Sequence, residues 1–473
     1  MVISKALVWF RNNLRLHDNR TIAEATARHK EIVFVYVFDE RHWKLSPIGQ
    51  NMSSPRKLSF LWCSVIKLQQ EIEKLGGSLL VVKGEQQEEV VKTMQKYQCE
   101  ALYTTEEPGV YEALSLANVE KALMQKGMSV NIFNESTLYH PDDIPWPINK
   151  LPSVFTKFRK ENEKQTSIRE IVVSPTNLAM SKLQNLQKIA AEDFSIQEMN
   201  KPEKGTHFEA GEQAAFKRLS YYFDETDLIK TYKETRNGMI GIDFSSKLSA
   251  WLANGSISPR SVYQQLKNYE QKMGANQSTY WLFFELLWRD YFHFIMKKHG
   301  AQLFSKKGIQ EEEYQWKREK DIFDLWCKGE TGIPMIDANM RELNETGYMS
   351  NRGRQLVASF LTHDLEIDWR WGAYYFERQL VDYDVASNWG NWAYVAGVGN
   401  DPRNNRYFNI LSQAKRYDNS GEYVRLWLPE LKEIEGFNAH IIALLDHDIV
   451  INKVVVNRER YVYPIVDMQK WDY

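Results

Sequence analysis

The chain has 473 residues, enough for two or three domains, and carries 60 lysine and arginine residues against 62 aspartate and glutamate residues. This balance excludes a strongly basic or acidic protein, so any nucleic-acid-binding surface must be local. The widely spaced cysteines Cys63, Cys99 and Cys327 indicate neither a disulfide framework nor a metal cluster, and favour a reducing setting. No early apolar run is long enough to cross a bilayer and no signal sequence is evident, so a cytoplasmic protein is expected.

The first part of the chain alternates short β-branched runs with helical patterns. The runs cover 6–10, 32–38, 78–82, 101–104 and 128–133, and a helix over 56–75 can end at Gly76. This alternation predicts a Rossmann-like α/β domain with a parallel sheet over residues 1–135. The first run leads into WFRNNLRLHDN instead of a GxGxxG turn, so a standard nicotinamide-binding site is not indicated.

The rest of the chain divides into a connector and a helical domain. Proline, asparagine, lysine and serine dominate 136–205, which predicts a linker over the surface. From 206 to 473 the pattern is helical, with starts such as Ser258 before Pro259. Nine of the 15 tryptophans lie between Trp281 and Trp427, a concentration that core packing would explain on composition alone.

Three short segments of the helical domain contain polar groups that suggest a site. In FSSKLSAWLANG (244–255), serines crowd a helix start, where free amides and hydroxyls could hold a diphosphate or simply cap the helix. In WLFFELLWRDYFHFIM (281–296), Glu285, Trp288 and Arg289 share one helical face. An intrahelical ion pair between Glu285 and Arg289 is one interpretation, but the apolar flanks favour a ligand-facing role.

The third segment, VDYDVASNWGNW (381–392), brings two aspartates close to an asparagine. If it is helical, Asp384 and Asn388 lie one turn apart, and with Asp382 they could converge on one edge of a ligand. A metal or an acid/base pair is the alternative, but neither has its usual support from ligand spacing or a nucleophile motif, and no metal is expected. The segments together indicate a buried site of amides, charges and indoles around a planar ligand.

With these residues in place, the chain resembles the photolyase and cryptochrome family, most closely its DASH-type cryptochromes. The resemblance covers nearly the whole chain, and its DASH assignment rests mainly on YVAGVGNDPRNNRYFN and GEYVRLWLPEL. It implies the photolyase/cryptochrome fold, in which an α/β domain holds an antenna chromophore and an all-α C-terminal domain binds FAD. The antenna expected for DASH-type relatives is methenyltetrahydrofolate, for which Glu112 matches the pterin-contacting carboxylate.

The resemblance also implies roles for individual residues around a folded FAD. Asn388 would face N5 of the flavin, where a neutral amide suits a reduced flavin anion, and Arg354 and Asp382 would pair beside the isoalloxazine while Asp384 meets its polar edge. Glu285 and Arg289 would line the same cavity. The expected phosphate-binding residues are Tyr232, Ser245, Ser246, Leu248 and Ser249, and the expected electron-transfer residues are Trp392, Trp369 and Trp316.

The implied reaction is light-driven splitting of a cyclobutane pyrimidine dimer in DNA, with one electron donated by excited reduced FAD. Glu285, Trp288 and Asn351 would contact the flipped-out dimer. A 6-4 photolyase is disfavoured because its active-site histidine would fall at Asn351. The alternative from a different class is a blue-light sensor with affinity for nucleic acid and little repair.

Two matched positions are less apolar than in duplex-specific dimer photolyases, because Gln355 and Tyr394 stand in place of methionine and tryptophan. This difference predicts a preference for single-stranded or looped DNA, since unstacking costs less free energy there. A monomer acting on damaged DNA is expected. The candidate phosphate contacts are Arg352, Arg403, Lys415 and Arg416.

Overall fold

A five-stranded parallel sheet forms the N-terminal part of the computed structural model, which describes residues 4–184, 186, 189–310, 314–401, 406–444, 449–451, 454–456 and 461–471. The strand order is β3-β2-β1-β4-β5, and all four pairings are parallel. Every predicted strand is confirmed: β1 (Lys5–Phe10), β2 (Glu31–Asp39), β3 (Leu79–Gly84), β4 (Ala101–Thr105) and β5 (Ser129–Phe133).

Both faces of this sheet are buried, which is why its central strands are almost continuously apolar. Alternation along β1 sends Val8 to one hydrophobic cluster and Trp9 to the other. The cluster around Val8 includes residues of the first two helices, and the cluster around Trp9 includes residues of the next two. These helices are α1 (Arg20–Arg28), α2 (Pro55–Lys74), α3 (Gln86–Lys96) and α4 (Val110–Met124).

The segment predicted to be a surface linker, residues 136–205, contributes side chains to the core. It contains an eleven-residue helix, α5 (Phe155–Gln165), whose Phe155 is buried. Phe155 stacks on Trp288 with ring centroids 3.7 Å apart. The backbone amides of Leu138 and Tyr139 also donate to the buried carboxylate of Asp290 at 2.9 and 2.8 Å. The segment after the sheet is therefore attached to the helical part by packing and by hydrogen bonds.

The remainder is mainly helical, as predicted, and is built around one 23-residue helix, α10 (Gln277–His299). Two hydrophobic clusters fill this part, and Trp288 of α10 packs against both. The helices are α6 (Glu212–Ser220), α7 (Tyr232–Thr235), α8 (Ser249–Asn254), α9 (Pro259–Met273), α10 (Gln277–His299), α11 (Lys320–Lys328), α12 (Pro334–Thr346), α13 (Asn351–Ser359), α14 (Trp369–Gln379), α15 (Val385–Val395), α16 (Ile410–Tyr417), α17 (Glu422–Trp427) and α18 (Asn438–Ile441).

The C-terminal end departs from the helical prediction. Two short antiparallel strands, β6 (Ile449–Ile451) and β7 (Val454–Val456), follow α18, in keeping with the β-branched residues of that stretch. The last described segment packs against the helical part, where Trp471 is buried. Within the described residues, no helix combines the length and the apolar character that a membrane span requires.

Candidate functional site

A cavity of about 510 Å³ lies in the helical part, within the size range of cofactor and ligand sites. It is bounded by α7, the segment leading into α8, and helices α10, α13, α14 and α15. The predicted site residues that line it are Tyr232, Ser245, Ser246, Leu248, Ser249, Glu285, Trp288, Arg289, Asn351, Arg354, Gln355, Asp382, Asp384, Asn388, Trp392 and Tyr394. The structure thus brings together residues from widely separated parts of the chain.

The serine-rich wall of the cavity is fixed from behind by one arginine. Arg218 donates to the backbone carbonyls of Ile242, Ser245 and Ser246 at 2.8, 3.0 and 3.0 Å. These carbonyls are therefore occupied, while the two serines remain in the lining of the cavity. Such hydroxyl-rich helix starts suit phosphate oxygens.

Lys247 lies between these serines and α8, and sequence reasoning missed it. Its backbone adopts the left-handed conformation, with φ of 57°, and its side chain is buried. Nζ donates to the hydroxyl of Tyr348 at 3.1 Å. Burial lowers the pKa of Lys247 to about 7, although Glu342 acts in the opposite direction. The lysine inside SSKLS was the available signal, because a charged residue in a buried motif needs a partner or a ligand.

Arg354 and Asp382 form an ion pair on one side of the cavity. One Arg354 nitrogen, Nη2, contacts both carboxylate oxygens, at 3.0 and 2.7 Å. Arg354 lies in the first turn of α13, and its Nε also donates a hydrogen bond to the carbonyl of Met349 at 2.9 Å. Desolvation lowers the pKa of Arg354, but Asp382 outweighs it and the pKa is raised. Arg354 therefore stays charged in the wall of the cavity.

Asp384 is held by a network that the sequence did not reveal. Its side chain caps α15 by accepting from the amide of Ser387 at 2.8 Å. Arg289 and His293 of α10 contact its other oxygen at 3.0 and 2.8 Å. Burial raises the pKa of Asp384, but His293 and Arg289 outweigh burial and hold that pKa well below its ordinary value. His293 follows Arg289 by one helical turn, and this spacing was the only local signal for it.

Glu285 and Arg289 do not pair with each other, so the intrahelical ion pair is absent. Arg236, which follows α7, binds Oε1 of Glu285 at 2.6 Å. Burial raises the pKa of Glu285, and Arg236 acts in the opposite direction. Trp288, one turn further along α10, contacts the ring of Tyr394 at 5.8 Å in an edge-on geometry. Glu285 and Trp288 therefore both face the cavity, and Glu285 is paired there with Arg236.

Asn388 lies in the first turns of α15 and is nearly buried. Its Nδ2 donates to the carbonyl of Ala373 in α14 at 3.0 Å. Oδ1 therefore remains as an acceptor for a ligand, and the second hydrogen of Nδ2 remains as a donor. An amide in this position gives the cavity a neutral polar group beside its ion pairs.

Of the three tryptophans predicted for electron transfer, Trp392 and Trp369 are buried and Trp316 is partly exposed. Trp392 lines the cavity, and its ring touches Gly372 of α14, where an added Cβ would lie 2.2 Å from the ring. Trp369, one turn before Gly372, is fully buried, and its indole donates to the carbonyl of Lys306 at 3.1 Å. Trp316 is partly exposed and precedes Lys317, which bridges to Ile367. Helix α14 and this bridge connect the cavity to the surface.

The predicted contacts to DNA are placed less uniformly. Asn351 is exposed at the first turn of α13, and Arg352 lies over the ring of Tyr417 at 4.6 Å. Lys415 and Arg416 are exposed near the end of α16. Neither of them lines the cavity. Arg403 lies outside the described residues.

Glu112, predicted to contact the antenna, lies in the first turn of α4 in the N-terminal domain. Its Oε1 is bound by Arg41 at 3.1 Å, and the same arginine binds Glu377 of α14 at 3.0 Å. Arg41 also lies over the ring of Tyr111 at 4.4 Å. Glu112 is therefore part of an ion-pair bridge between the sheet domain and the helical part.

The residues present fit a flavin nucleotide. One wall offers the hydroxyls of Ser245 and Ser246, whose backbone carbonyls are already hydrogen-bonded to Arg218. The other walls offer the Arg354–Asp382 pair, the neutral amide of Asn388 and the ring of Trp392. A phosphate-bearing ligand with a planar, polar ring has groups that match both kinds of wall. The fold and the cavity therefore define a protein with an α/β part and a helical part, in which the helical part contains a site suited to a flavin nucleotide.

Comparison with known proteins agrees. Residues 6–177 match the family described as DNA photolyase, and residues 281–472 match the FAD binding domain of DNA photolyase. A cryptochrome DASH from Xenopus laevis is 44% identical over 471 residues, covering 98% of this chain and 89% of the relative. The chain belongs to the photolyase/cryptochrome family, among the DASH cryptochromes, and carries that family's FAD-binding domain.

Solved structures show the same relationship. The crystal structure of a cryptochrome from Synechocystis superposes with a TM-score of 0.94 at 42% identity, covering all of both chains. A bacterial class III photolyase from Agrobacterium tumefaciens reaches a TM-score of 0.86 at 27% identity, covering 99% of this chain and 96% of that one. The predicted photolyase/cryptochrome fold is thus confirmed.

Proposed function

We propose that the protein repairs cyclobutane pyrimidine dimers under blue light, using FAD, and prefers single-stranded or looped DNA. The observation that carries this proposal is the composition of the cavity, where Glu285, Trp288 and Asn351 share one space with the Arg354–Asp382 pair. A base-flipping pocket needs polar groups for base edges and rings for stacking. A flavin site without a substrate has no need of the first three residues.

The chemistry that bound FAD would supply is light-driven donation of one electron to the dimer and recovery of that electron once the ring has opened. Ser245, Ser246 and Ser249 would hold the phosphates, with Tyr232 and Leu248 beside them. Asn388 would accept a hydrogen bond from the flavin ring, and the Arg354–Asp382 pair would fix the ring from one side. Trp392, Trp369 and Trp316 would relay electrons from an external reductant to an oxidised flavin, because an indole is readily oxidised and Trp316 is partly exposed.

The substrate side of the cavity is organised by α10. Arg236 uses only Oε1 of Glu285, so Oε2 remains for a hydrogen bond with the damaged bases. Trp288 is immobilised by its stack on Phe155 and offers an apolar surface to the dimer. Asn351 lies exposed at the opposite side, where its amide can both donate and accept. Together these groups would orient the dimer and exclude water from it.

The strand preference follows from the walls contributed by Gln355 and Tyr394. Tyr394 is bonded through its hydroxyl to Arg406 at 2.5 Å, so this wall is partly polar. Less apolar contact provides less free energy to offset the unpairing and unstacking of a duplex. Single-stranded and looped lesions require less of that compensation, and we expect them to be repaired faster.

The test compares repair of matched single-stranded and duplex oligonucleotides that each contain one thymine dimer. Glu285→Gln removes a charged hydrogen-bonding group, so its repair rate should fall roughly tenfold or more. Glu88→Gln is the matched control, because Glu88 is exposed on α3 in the sheet domain. Absence of dimer turnover by the wild-type protein would refute the repair function. Equal rates on the two substrates would refute the strand preference alone.

An antenna in the sheet domain is the second part of the proposal. The Glu112 carboxylate suits the N–H donors of a pterin, and methenyltetrahydrofolate is the chromophore proposed. Binding there must compete with the Arg41 contact to Glu112, so the ion-pair bridge would rearrange. We expect Glu112→Ala to lose an absorption band that the wild-type protein gains with folate. A variant that retains the band would contradict this contact.

A blue-light sensor is the alternative function, and one observation favours it. Trp392 lines the cavity and Trp316 is partly exposed, so electron transfer along the proposed tryptophan series would require no lesion and could serve signalling. The repair assay separates the two functions, because a sensor would photoreduce normally and turn over no dimer.

A further inference from the structure

The first turns of α10 carry a group of aromatic rings beside the mouth of the cavity. Phe284 lines the cavity, and Trp281 stacks on it with centroids 4.8 Å apart. Tyr280 lies next to Phe284 at 6.4 Å and is 37% exposed. The rings therefore run outward from the cavity to the surface without a gap. We call Tyr280, Trp281 and Phe284 the aromatic platform.

Three cations, from α5 and from α7 and the residue after it, lie over the rings of this platform. Lys233 of α7 is 5.0 Å from the centre of the Trp281 ring, and Arg236 is 5.7 Å from it. Arg159 of α5 is 5.6 Å from the centre of the Phe284 ring. Arg236 is paired with Glu285 and Arg159 with Glu163, whereas Lys233 has no carboxylate partner within 4.0 Å in the described part of the chain.

We propose that the aromatic platform binds the unpaired nucleotides on one side of the lesion. Proteins that bind single-stranded nucleic acid combine rings on which bases stack with cations that contact the backbone. The platform has both features and is continuous with the cavity through Phe284 and Arg236. It binds single strands because bases paired in a duplex cannot reach ring faces at the side of a cavity. This inference rests on the proposed function, since the lesion positions the strand.

The platform also gives a second physical reason for a single-strand preference. The walls near Gln355 and Tyr394 reduce binding to duplex DNA, but they add nothing for a single strand. Stacking of even one flanking base on Trp281 or Tyr280 adds affinity that only unpaired DNA receives. The preference for single strands then comes from higher affinity for unpaired DNA as well as from lower affinity for duplex DNA.

The test measures how affinity depends on the flanking strand. Oligonucleotides with one thymine dimer carry six extra nucleotides on the 5′ side, on the 3′ side or on neither, and binding is followed by fluorescence anisotropy in the dark. We expect one of the two flanks to tighten binding by at least roughly fivefold, the lower limit for stacking one base. The other flank should have little effect, because the platform lies on one side of the cavity.

Variants then identify the residue responsible. Trp281→Ala should abolish the flank-dependent gain, and Trp281→Phe should retain most of it because a ring remains. Trp43→Ala is the matched control: Trp43 is also partly buried under a lysine, with Lys83 at 3.9 Å, but it lies in the sheet domain. Lys233→Gln should reduce the slope of log affinity against log salt by about 0.7, the value for one single-strand phosphate contact.

Three results would overturn the inference: no gain from either flank, a gain that survives in Trp281→Ala, or an equal gain from a flank that is paired in a duplex. Undamaged oligothymidylate is measured in parallel, so the platform is tested even without a lesion. Binding of undamaged strands that depends on Trp281, together with no dimer repair, would leave this inference standing and remove the proposed function. Repair without any dependence on the flank would do the reverse.

Discussion

Substitution of Gly372 by alanine tests the first step of the tryptophan series by steric means. The added Cβ would lie 2.2 Å from Cη2 and 2.5 Å from Cζ3 of Trp392. Carbon atoms in ordinary contact are about 3.5 Å apart, so the ring must move by about 1.3 Å. It is enclosed by Trp326 and Phe376, whose ring centres are 6.2 and 5.1 Å away, and cannot simply rotate aside.

Two effects of Gly372→Ala are expected. Overpacking of this kind costs about 1–3 kcal/mol of unfolding free energy, partly offset by up to about 1 kcal/mol from the better helix propensity of alanine. Displacement of Trp392 should also slow photoreduction of the bound flavin. Denaturant unfolding measures the first effect, and absorbance changes under blue light with an external reductant measure the second.

Matched variants separate the displaced ring from general destabilisation. Gly353→Ala places a Cβ 1.9 Å from Oδ1 of Asn339, so it overpacks the same domain away from Trp392. It should lose stability but photoreduce at the wild-type rate. Trp392→Phe should slow photoreduction without any steric clash, because it removes the oxidisable ring and leaves a small cavity in its place. Wild-type photoreduction in Gly372→Ala, at a measurable loss of stability, would refute the role given to Trp392.

Three further variants test charges buried in the helical part. Burial lowers the pKa of Lys247 from its ordinary value of 10.5 to about 7, so the unfolded chain binds more protons between those values. The unfolding free energy of the wild-type protein should therefore rise with pH across that interval relative to that of Lys247→Met, by at most about 1.4 kcal/mol per pH unit. Identical pH profiles of unfolding free energy would contradict this. Asp382→Asn leaves Arg354 without its carboxylate partner, so the unfolding free energy should fall by about 3–5 kcal/mol. Retention of FAD, followed by flavin fluorescence, should also weaken. An equally stable variant that retains FAD would refute the pairing argument. Tyr461→Phe removes a donor to buried Asp337, which keeps its bonds from Thr331 and Gly332, and should cost about 1 kcal/mol; an unchanged midpoint in urea would contradict that.

The elements that could be predicted from the sequence are those whose pattern is set by local burial. β1 and β2 are continuous apolar runs because both faces of the sheet are covered, and their bounds came within a residue or two. The start of α9 was predictable because Ser258 caps it and Pro259 occupies its first turn. In α5 (Phe155–Gln165), by contrast, only two phenylalanines mark the buried face among charged residues, so the helix resembled a linker.

The pairing of charges in the site could not be read from local spacing. Glu285 and Arg289 are one turn apart, yet each finds a partner elsewhere in the chain. Arg236 lies 49 residues from Glu285, and Asp384 lies 95 residues from Arg289. Helix packing decides these contacts, because an ion pair in a buried wall gains from additional donors that an isolated helix cannot offer. Which residues line the cavity was thus predictable from the sequence, while which charged residues pair with each other was not.

The contact between Arg236 and Glu285 bears directly on how a lesion would be held. A thymine dimer presents N–H donors and carbonyl acceptors on the same base edges, so the carboxyl group must match one or the other. Burial raises the pKa of Glu285 towards the protonated, donating form, whereas Arg236 favours the ionised, accepting form. In the proposed repair reaction, the position of Arg236 would therefore decide which form of the carboxyl group a dimer meets. A phosphate that draws Arg236 away from Glu285 would leave the carboxyl group more readily protonated, so that entry of the strand and the hydrogen-bonding character of the pocket are linked through one arginine.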